Sequence, residues 1–388
     1  MKIGLLGFKF ENENMGCVAL TYSVVSILTE LFPDNLEIVN ITDCIESLEQ
    51  ARSYFPTTRI SGITYRLNSR LSVRDKTVIK ELKTCDAVLD ITYGDNFSDI
   101  YLPDFVHRTT SMKLNVEKLG VPLILMPQTI GPFENVALKK EAMKAIKKSK
   151  RVYTRDIPSK EFVLENLRKK DIYVATDVAF ALPYEKDKNG HSCLRIGLNI
   201  SGLLWKGGFL CDNQFGLSVD YREYIFSLLD ELCSRNDNEV HIIPHVVDNI
   251  STANDGDLSV SNEIIKKYPR AILAPQFKDP IEAKNYIANM DVFSGARMHS
   301  TIAAFSSGVA TIPFAYSRKF EGLYNNIGYP YIIDGKTMQT KQAVNLTLDY
   351  LAQKDELLKT GIESMKLVQD KLREFKADLN SVINKHKL

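Results

Sequence analysis

Short apolar segments alternate with helix-like segments along most of the chain, and this alternation limits the fold more than any other feature of the sequence. A repeated strand–helix order is typical of a parallel β-sheet covered by helices. The alternation therefore predicts the α/β class, and it occurs in two separate runs. The predicted strands are 2–8, 36–41, 87–91, 122–127, 151–154 and 172–175 in the first run, and 194–201, 239–244, 271–273, 292–294 and 310–314 in the second.

A polar stretch rich in turn-forming residues, 183–191 (PYEKDKNGH), lies between the two runs and predicts a linker. The chain has 388 residues, which is long enough for two domains. We expect two Rossmann-like parallel-sheet domains that face a cleft, one over 1–185 and the other over 192–337. The charged helical segment 338–388 either crosses back to the first domain or forms a homo-oligomer contact, and the sequence leaves both alternatives open.

The charge of the chain is balanced, with 49 Lys and Arg against 48 Asp and Glu and a net charge of +1. This balance argues against a protein that coats nucleic acid, but it is compatible with a local pocket for a small anion. No apolar segment approaches the roughly 18 to 20 residues that span a bilayer, and no export signal is recognisable. We therefore expect a cytoplasmic protein, with peripheral association at the inner membrane face as an open alternative.

Several well-known catalytic motifs are absent from the sequence. It contains no Gly-x-x-x-x-Gly-Lys-Ser/Thr loop, no Gly-x-Gly-x-x-Gly after the first strand, no His-Glu-x-x-His and no Gly-x-Ser-x-Gly. These absences disfavour a P-loop NTPase, a standard dinucleotide enzyme, a zincin and a lipase-like hydrolase. The six cysteines include no Cys-x-x-Cys pair, so the sequence predicts no metal site.

The segment 291–305 (DVFSGARMHSTIAAF) carries the strongest candidate site. A strand is predicted to end near Ser294 and a helix to begin near Ser300, which places Arg297 and His299 in the turn between them. Such a turn offers an anion both backbone N–H donors and the positive end of a helix dipole. An arginine adds a fork of donors for phosphate or carboxylate, and a histidine can transfer a proton near neutral pH. The alternative is a surface arginine next to a capping histidine.

Two loops of the first run also follow predicted strands. Arg155 comes directly after strand 151–154 and either faces the cleft or pairs with Asp156 or a neighbour on the surface. Gly94 and Asp95 close another strand, where they either bind sugar hydroxyls or only form a turn.

Three weaker candidates lie at other strand ends, where ligands of open parallel sheets bind. Gln128 precedes a Gly-Pro break and either lines the cleft or only supports the turn. His245 is either a structural histidine or part of the site. Lys206 follows Trp205, the only tryptophan, which either offers a ligand platform or packs in the core.

Taken in order, these loops resemble those of the polysaccharide pyruvyl transferase family. The most specific of them begins at Asp291, and the matching segments run from the first residues to about residue 325. The matching segments are KIGLLGF, Asn14-x-Gly16 at the start of the first helix, YGDNFSD, LMPQTIGPF, VYTRD, ATDVAFALP, IGLNISG, IIPHVVD and DVFSGARMHSTIAAFSSGVATIPFAYSRKFEG.

The resemblance implies a GT-B-like fold and the transfer of the pyruvyl group of phosphoenolpyruvate to sugar hydroxyls, often as a cyclic ketal. It also implies that Arg297, Met298 and His299 bind phosphoenolpyruvate together with Arg155, and that His299 is the general acid. Phosphoenolpyruvate is the donor substrate, so no cofactor is expected.

Phosphoenolpyruvate carries a phosphate and a carboxylate, which suggests a mechanism. Arg155 and Arg297 would clamp these anions with the help of backbone donors near Ser300. His299 in its imidazolium form would protonate the methylene carbon, and an acceptor hydroxyl would attack the neighbouring carbon. Loss of phosphate and attack by a second hydroxyl would close the ketal.

The expected acceptor is a sugar in a polysaccharide of the capsule or exopolysaccharide kind, or in its lipid-linked precursor. Asp95 and His245 are candidates for acceptor binding or base catalysis. Many family members carry acidic residues where this chain has Cys17 and Val18, so an acceptor contact from the first helix does not follow from the resemblance. Two alternatives remain: a GT-B nucleotide-sugar glycosyltransferase, and a non-catalytic binding protein of glycan assembly.

Overall fold

The computed structural model of the chain describes residues 1–65, 76–99, 103–167, 171–187, 192–247 and 255–385. Residues 188–191 of the predicted linker therefore lie outside the described part. The chain divides into two compact units. The first unit contains Met1–Asn12, Leu20–Ala181 and Gln369–Leu388, and the second contains Glu13–Ala19 and Leu182–Val368.

The first unit is built on a parallel sheet. Within the described residues its strands are β1 (Lys2–Leu6), β2 (Glu37–Thr42), β3 (Arg59–Thr64), β4 (Ala87–Asp90), β5 (Leu123–Gln128), β6 (Arg151–Thr154) and β7 (Tyr173–Val174). These seven strands have the order β3-β2-β1-β4-β5-β6-β7, and all neighbouring pairs are parallel. Strands β4 and β5 are buried along their whole length, as expected for a sheet covered on both faces.

The helices of the first unit connect these strands. Short polar side chains cap two of them: Asn135 accepts hydrogen bonds from the backbone at the start of one, and Asp156 does the same at the start of another. The helices are α1 (Met15–Leu31), α2 (Glu49–Tyr54), α3 (Lys76–Leu82), α4 (Pro103–Lys118), α5 (Val136–Lys148) and α6 (Ile157–Asn166). Residues 15–19 of α1 belong to the second unit.

The second unit has its own parallel sheet. Within the described residues its strands are β8 (Leu194–Asn199), β9 (Asn238–Ile242), β10 (Ile272–Leu273), β11 (Val292–Gly295), β12 (Ala310–Ala315) and β13 (Ile333–Asp334). These six strands have the order β10-β9-β8-β11-β12-β13, again with parallel pairing. The carboxyl ends of β9, β8 and β11 therefore lie side by side.

The remaining helices follow in chain order. They are α7 (Gly202–Trp205), α8 (Tyr221–Ser234), α9 (Asp257–Lys267), α10 (Pro280–Ala288), α11 (Met298–Ser306), α12 (Arg318–Asn325), α13 (Thr340–Ala352) and α14 (Lys354–Asn384). The last part of α14 belongs to the first unit, where Tyr153 donates a hydrogen bond to Asp378 at 2.5 Å and packs edge-on against Phe375. None of the helices in the described ranges combines the length and apolar character needed to cross a membrane.

The two parallel-sheet α/β units confirm the predicted fold class. The sequence pattern missed α2, β3 and α3. Strand β3 reads RISGIT, and Ile60 is its only buried residue, because this strand lies at the edge of the sheet. An edge strand with one buried side chain has no apolar run by which it could be recognised.

Candidate functional site

Arg297 lies between a strand and a helix of the second unit. Helix α11 begins at Met298, immediately after Arg297 at the N-cap position. The sequence pattern predicted a later start near Ser300, and this was wrong. The backbone N–H groups of Ser300 and Thr301 both donate to the Arg297 carbonyl, at 3.1 and 3.2 Å, and close the first turn there. His299 and Ser300 therefore lie within the first turn of the helix.

The Asp257 carboxylate fixes the position of Arg297. Asp257 is the first residue of α9 and is fully buried. Its Oδ1 accepts hydrogen bonds from Arg297 Nε at 3.1 Å and Nη2 at 2.8 Å. Its other donors come from strand ends and from the start of α7: Asn199 Nδ2 and the backbone N–H groups of Gly202, His245 and Val246. So many hydrogen bonds leave this carboxylate, and the arginine it holds, little freedom to move.

The guanidinium of Arg297 is charged and only partly engaged. Its Nη2 also donates to the carbonyl and the carboxylate of Asp255, and its backbone N–H donates to Asn199 Oδ1 at 2.9 Å. Burial opposes the charge, but the Asp257 and Asp255 carboxylates outweigh it and hold the pKa of Arg297 above its ordinary value. Nη1 donates to none of the residues that the structure describes. A guanidinium nitrogen of this kind can donate hydrogen bonds to a phosphate or carboxylate.

The other residues of this turn have different surroundings. Ser300 is buried, and its hydroxyl donates to the Arg297 carbonyl at 2.7 Å, so it stabilises the helix start. The Met298 carbonyl accepts a hydrogen bond from the Thr301 hydroxyl at 2.8 Å. His299 is half-buried in the same turn. The structure therefore places a charged guanidinium and an imidazole at one helix N-terminus.

His245 follows β9 and lies in the same region of the second unit. Its side chain is 3% exposed, and neither ring nitrogen has a hydrogen-bond partner among the residues that the structure describes. Burial, with the neighbouring His299 and Arg297, lowers the pKa of His245 to about 3, and Asp257 opposes this shift. The ring is therefore neutral at physiological pH. An imidazole with so low a pKa has little affinity for a proton, so His245 is a weak candidate for the base that the sequence suggested.

His245 should make the stability of the second unit depend on pH. Its pKa is about 3 in the folded chain and about 6.5 ordinarily, so between these values the unfolded chain binds one more proton. Above pH 6.5 the histidine is neutral in both the folded and the unfolded chain, and its contribution to the free energy of unfolding is complete. As pH falls below 6.5, the free energy of unfolding should decrease by about 1.4 kcal/mol per pH unit. His245→Asn should remove this part of the slope. Trp205, the only tryptophan, can report unfolding in urea from about pH 7 to about pH 5. An unchanged slope in the variant would contradict the assignment.

Trp205 packs in the core, which agrees with the second of the two interpretations made from the sequence. Its ring lies edge-on to Phe226, with 5.3 Å between the ring centroids, and the Arg222 guanidinium lies over it at 5.4 Å. Lys206 is the C-cap residue of α7, and the first residue of that helix, Gly202, donates to Asp257 at 2.9 Å.

In the first unit, Arg155 follows β6 and is buried. Its Nη1 donates to Asp177 at 2.9 Å and its Nε donates to the Thr129 hydroxyl at 2.9 Å. Arg155 thus forms its ion pair with Asp177, whereas the Asp156 side chain caps α6. Burial opposes the charge, but the carboxylates of Asp177, Asp95 and Asp156 outweigh it and raise the pKa of Arg155.

Gly94 and Asp95 lie in a strained loop beside Arg155. A Cβ atom on Gly94 would lie 3.4 Å from Arg155 Nη1. The φ angles of Thr92, Tyr93 and Gly94 are 41°, 54° and 91°, so three successive residues have left-handed backbone. Non-glycine residues rarely adopt this conformation, and such strain is common at functional sites.

A buried ion pair holds this strained loop. Lys113 Nζ lies 3.0 Å from an Asp90 carboxylate oxygen and donates to the Thr92 hydroxyl at 2.8 Å. That hydroxyl donates to the other Asp90 oxygen at 2.7 Å. Gln128, a candidate for the site, is fully buried and donates to the Asp90 carbonyl at 2.8 Å. Its position favours support of β4 and β5 over contact with a ligand.

The partners of the two arginines are not among the candidate site residues that the sequence predicts. Asn199 and Asp177 lie in the segments IGLNISG and ATDVAFALP, and their positions near strand ends were a usable signal. Asp257 follows the turn-forming residues of the NDG run, but its burial cannot be read from the sequence. Within the described ranges, no group of three or more His, Cys, Asp or Glu side chains is placed to hold a metal ion.

Comparison with solved structures shows the same fold at low sequence identity. UDP-GlcNAc 2-epimerase from Neisseria meningitidis, bound to UDP-GlcNAc, is 10% identical with a TM-score of 0.58, covering 96% of this chain and 100% of the epimerase. HepE from Anabaena, in complex with UDP and glucose, is 8% identical with a TM-score of 0.61 and 99% coverage of both chains. Apo UGT2 from Phytolacca americana is 11% identical with a TM-score of 0.53 and full coverage of both. These proteins have the GT-B fold, as the sequence led us to expect.

Comparison of sequences gives a more specific result. No sequence among the curated proteins matches the chain. The family model described as polysaccharide pyruvyl transferase matches residues 14–318. This range includes Arg155, Arg297 and His299, and it confirms the resemblance seen in the loops. The chain therefore belongs to the polysaccharide pyruvyl transferase family.

Proposed function

We propose that this protein transfers the pyruvyl group of phosphoenolpyruvate to hydroxyls of a sugar in a polysaccharide or its lipid-linked precursor, and forms a pyruvate ketal. Family membership supports pyruvyl transfer in general. The observation that carries the donor assignment is the Arg297 guanidinium, next to His299 in the first turn of α11. Asp257 fixes this guanidinium, and its Nη1 donates to no group within the described part of the chain. A helix N-terminus favours an anion further.

The reaction follows from the chemistry of phosphoenolpyruvate. Arg297 binds an anionic group of the donor and keeps it beside the imidazole. His299, in its protonated form, donates a proton to the methylene carbon, which becomes a methyl group. The adjacent carbon then carries positive charge and accepts an acceptor hydroxyl. Its bond to the phosphate oxygen breaks, inorganic phosphate leaves, and a second hydroxyl of the sugar attacks the same carbon to close the ketal. Of the two hydroxyl protons, one restores the proton that His299 gave up and the other leaves with the phosphate.

Arg155, Gly94 and Asp95 keep their proposed roles at the carboxyl edge of the first sheet, Arg155 in donor binding and the other two in acceptor binding. The strained backbone of Thr92 and Tyr93 and the buried charge of Arg155 support a functional role for this edge. No cofactor is required. A lipid-linked acceptor would bring the reaction to the inner membrane face by peripheral association.

The reaction is tested directly by incubating the protein with phosphoenolpyruvate and candidate glycans, and by measuring both inorganic phosphate and the mass of the glycan. The expected result is phosphate release that depends on the glycan, with the mass gain of a pyruvyl ketal. In heavy water the ketal methyl group should carry one solvent deuterium, because the methylene carbon takes its proton from an acid that exchanges with solvent. Phosphate release with no pyruvylated glycan would contradict ketal formation.

Arg297→Lys should weaken donor binding. A lysine ammonium near Asp257 keeps the positive charge but lacks the several N–H donors of the planar guanidinium. It therefore cannot bind the Asp257 carboxylate, as Nε and Nη2 do, and also bind the donor, the role proposed for Nη1. The Michaelis constant for phosphoenolpyruvate should rise by about 10- to 100-fold, the range expected from the loss of one charge-assisted hydrogen bond. Arg235→Lys, at an exposed arginine of the second unit, is the matched control and should behave as wild type. An increase confined to the Michaelis constant of the acceptor would reverse the assignment.

The alternative is a nucleotide-sugar glycosyltransferase, because the solved epimerase and HepE structures with this fold contain UDP-GlcNAc or UDP. Thermal unfolding with phosphoenolpyruvate, UDP, GDP and CMP sugars separates the two functions. We expect stabilisation by phosphoenolpyruvate. Stabilisation by a nucleotide sugar alone would favour glycosyl transfer.

A further inference from the structure

The segment that precedes α1 and the first turn of that helix belong to the second unit. The backbone N–H of Met15 donates to the His245 carbonyl at 3.1 Å, and that of Val247 donates to the Glu13 carbonyl at 2.9 Å. The Asn14 side chain accepts a hydrogen bond from the Gly16 backbone at 2.9 Å and so shapes this first turn. The start of α1 is thus fixed against the residues that follow β9.

Gly16 leaves space that His299 occupies. A Cβ atom at position 16 would lie 2.3 Å from His299 Nδ1 and 2.9 Å from His299 Cγ, and real Cβ atoms essentially never approach another atom within 3.0 Å. Gly16 is absent from the residues with left-handed φ among those described, so any L-residue could adopt its backbone conformation. What this glycine supplies is the absence of a side chain, which lets the imidazole lie directly against the first turn of α1.

We propose that Gly16 is a positioning residue for His299, an inference that rests on the proposed role of His299 as the acid. The bare backbone at position 16 is the surface against which the imidazole is seated. Of the ring atoms, Nδ1 lies nearest to a Cβ at position 16, so Nε2 is the ring nitrogen farther from Gly16. A side chain at position 16 would displace the ring and misdirect the nitrogen that carries the proton to the donor.

Gly16→Ala is the variant that tests this role. We expect kcat to fall by about 10- to 100-fold, since a displacement of about 1 Å can reduce a rate by this amount. The Michaelis constant for phosphoenolpyruvate should change much less, because the atoms nearest to a Cβ at position 16 belong to His299 and Asn14, whereas Arg297 is held by Asp257. Gly361→Ala is the matched control: this glycine also lies in a helix of the second unit, and a Cβ atom there meets its nearest neighbour at 3.7 Å, an ordinary contact.

A second measurement does not depend on activity. If the alanine collides with the imidazole, Gly16→Ala should lower the urea midpoint of unfolding in the wild type and lower it much less in a His299→Ala background. The nitrogen resonances of the His299 ring should also move in Gly16→Ala and stay in place in Gly361→Ala. Unchanged resonances together with equal effects in both backgrounds would overturn the inference, whatever the activity. If the wild type does not consume phosphoenolpyruvate but this coupling is present, the seating of His299 stands and the proposed reaction fails.

Discussion

Replacing His299 with alanine should lower the turnover of phosphoenolpyruvate by about 10²- to 10⁴-fold, the contribution expected of a positioned general acid. The methylene carbon of the donor is a poor base, so without an acid at this position the positive charge at the adjacent carbon cannot develop. The half-buried side chain is not a central part of the core, and the thermal midpoint should change little. The measurement is phosphate release at saturating donor and acceptor, with circular dichroism as the check on folding.

The matched control for this substitution is His107→Ala. His107 is an exposed histidine of the first unit that pairs with Glu141 at 2.7 Å, so its removal tests only the loss of a histidine. We expect wild-type turnover. If His299→Ala also keeps near wild-type turnover, His299 is not the acid.

Replacing Lys113 with methionine should lower the free energy of unfolding of the first unit by about 3–5 kcal/mol. Lys113 is fully buried, and without its ammonium the Asp90 carboxylate remains in the core without its counter-charge. Burial already lowers the pKa of Lys113, against the opposing effect of Asp90, so the pair has a considerable desolvation cost. The measurement is hydrogen exchange of peptides from β1 and β4 by mass spectrometry, which reports the stability of the first unit directly.

Two further variants test whether the uncompensated charge of Asp90 causes the loss of stability in Lys113→Met. Combining it with Asp90→Asn removes the uncompensated charge and keeps a hydrogen-bond acceptor for the Thr92 hydroxyl, so much of the stability should return. Arg235→Met removes an exposed pair with Glu231 and should leave exchange in the first sheet unchanged. Wild-type exchange in Lys113→Met would show that the buried pair does not stabilise the sheet.

The fold was predictable where burial leaves a continuous apolar pattern. Strands such as β5, in which every residue is buried, are apolar along nearly their whole length. The edge strand β3 has no such pattern because Ile60 is its only fully buried residue and Ile63 is only partly buried against the core. The assignment of Glu13–Ala19 to the second unit depends on hydrogen bonds to residues far along the chain, and no local pattern carries that information.

The candidate residues of the site could be recognised from the sequence to a similar extent. Arg297 and His299 stand out because an arginine and a histidine follow a strand end in a segment typical of the family. Their surroundings do not stand out: Asp257 is an ordinary helix-start residue in the sequence, and only the fold brings it to Arg297. The same holds for Gly16, since a glycine in a first turn has several uses and only the distance to His299 identifies this one.

The carboxylates around Arg297 also affect how a donor can be attracted. One guanidinium faces the two carboxylates of Asp255 and Asp257, so its charge is already compensated within a few ångströms. Beyond a Debye length of about 8 Å in physiological salt, such a group exerts little field of its own. We expect the proposed donor to be recognised on contact, by hydrogen bonds from Nη1, with little contribution from long-range attraction. We therefore expect selectivity at this turn to depend on shape and hydrogen-bond direction. Added salt should change donor binding at Arg297 only slightly.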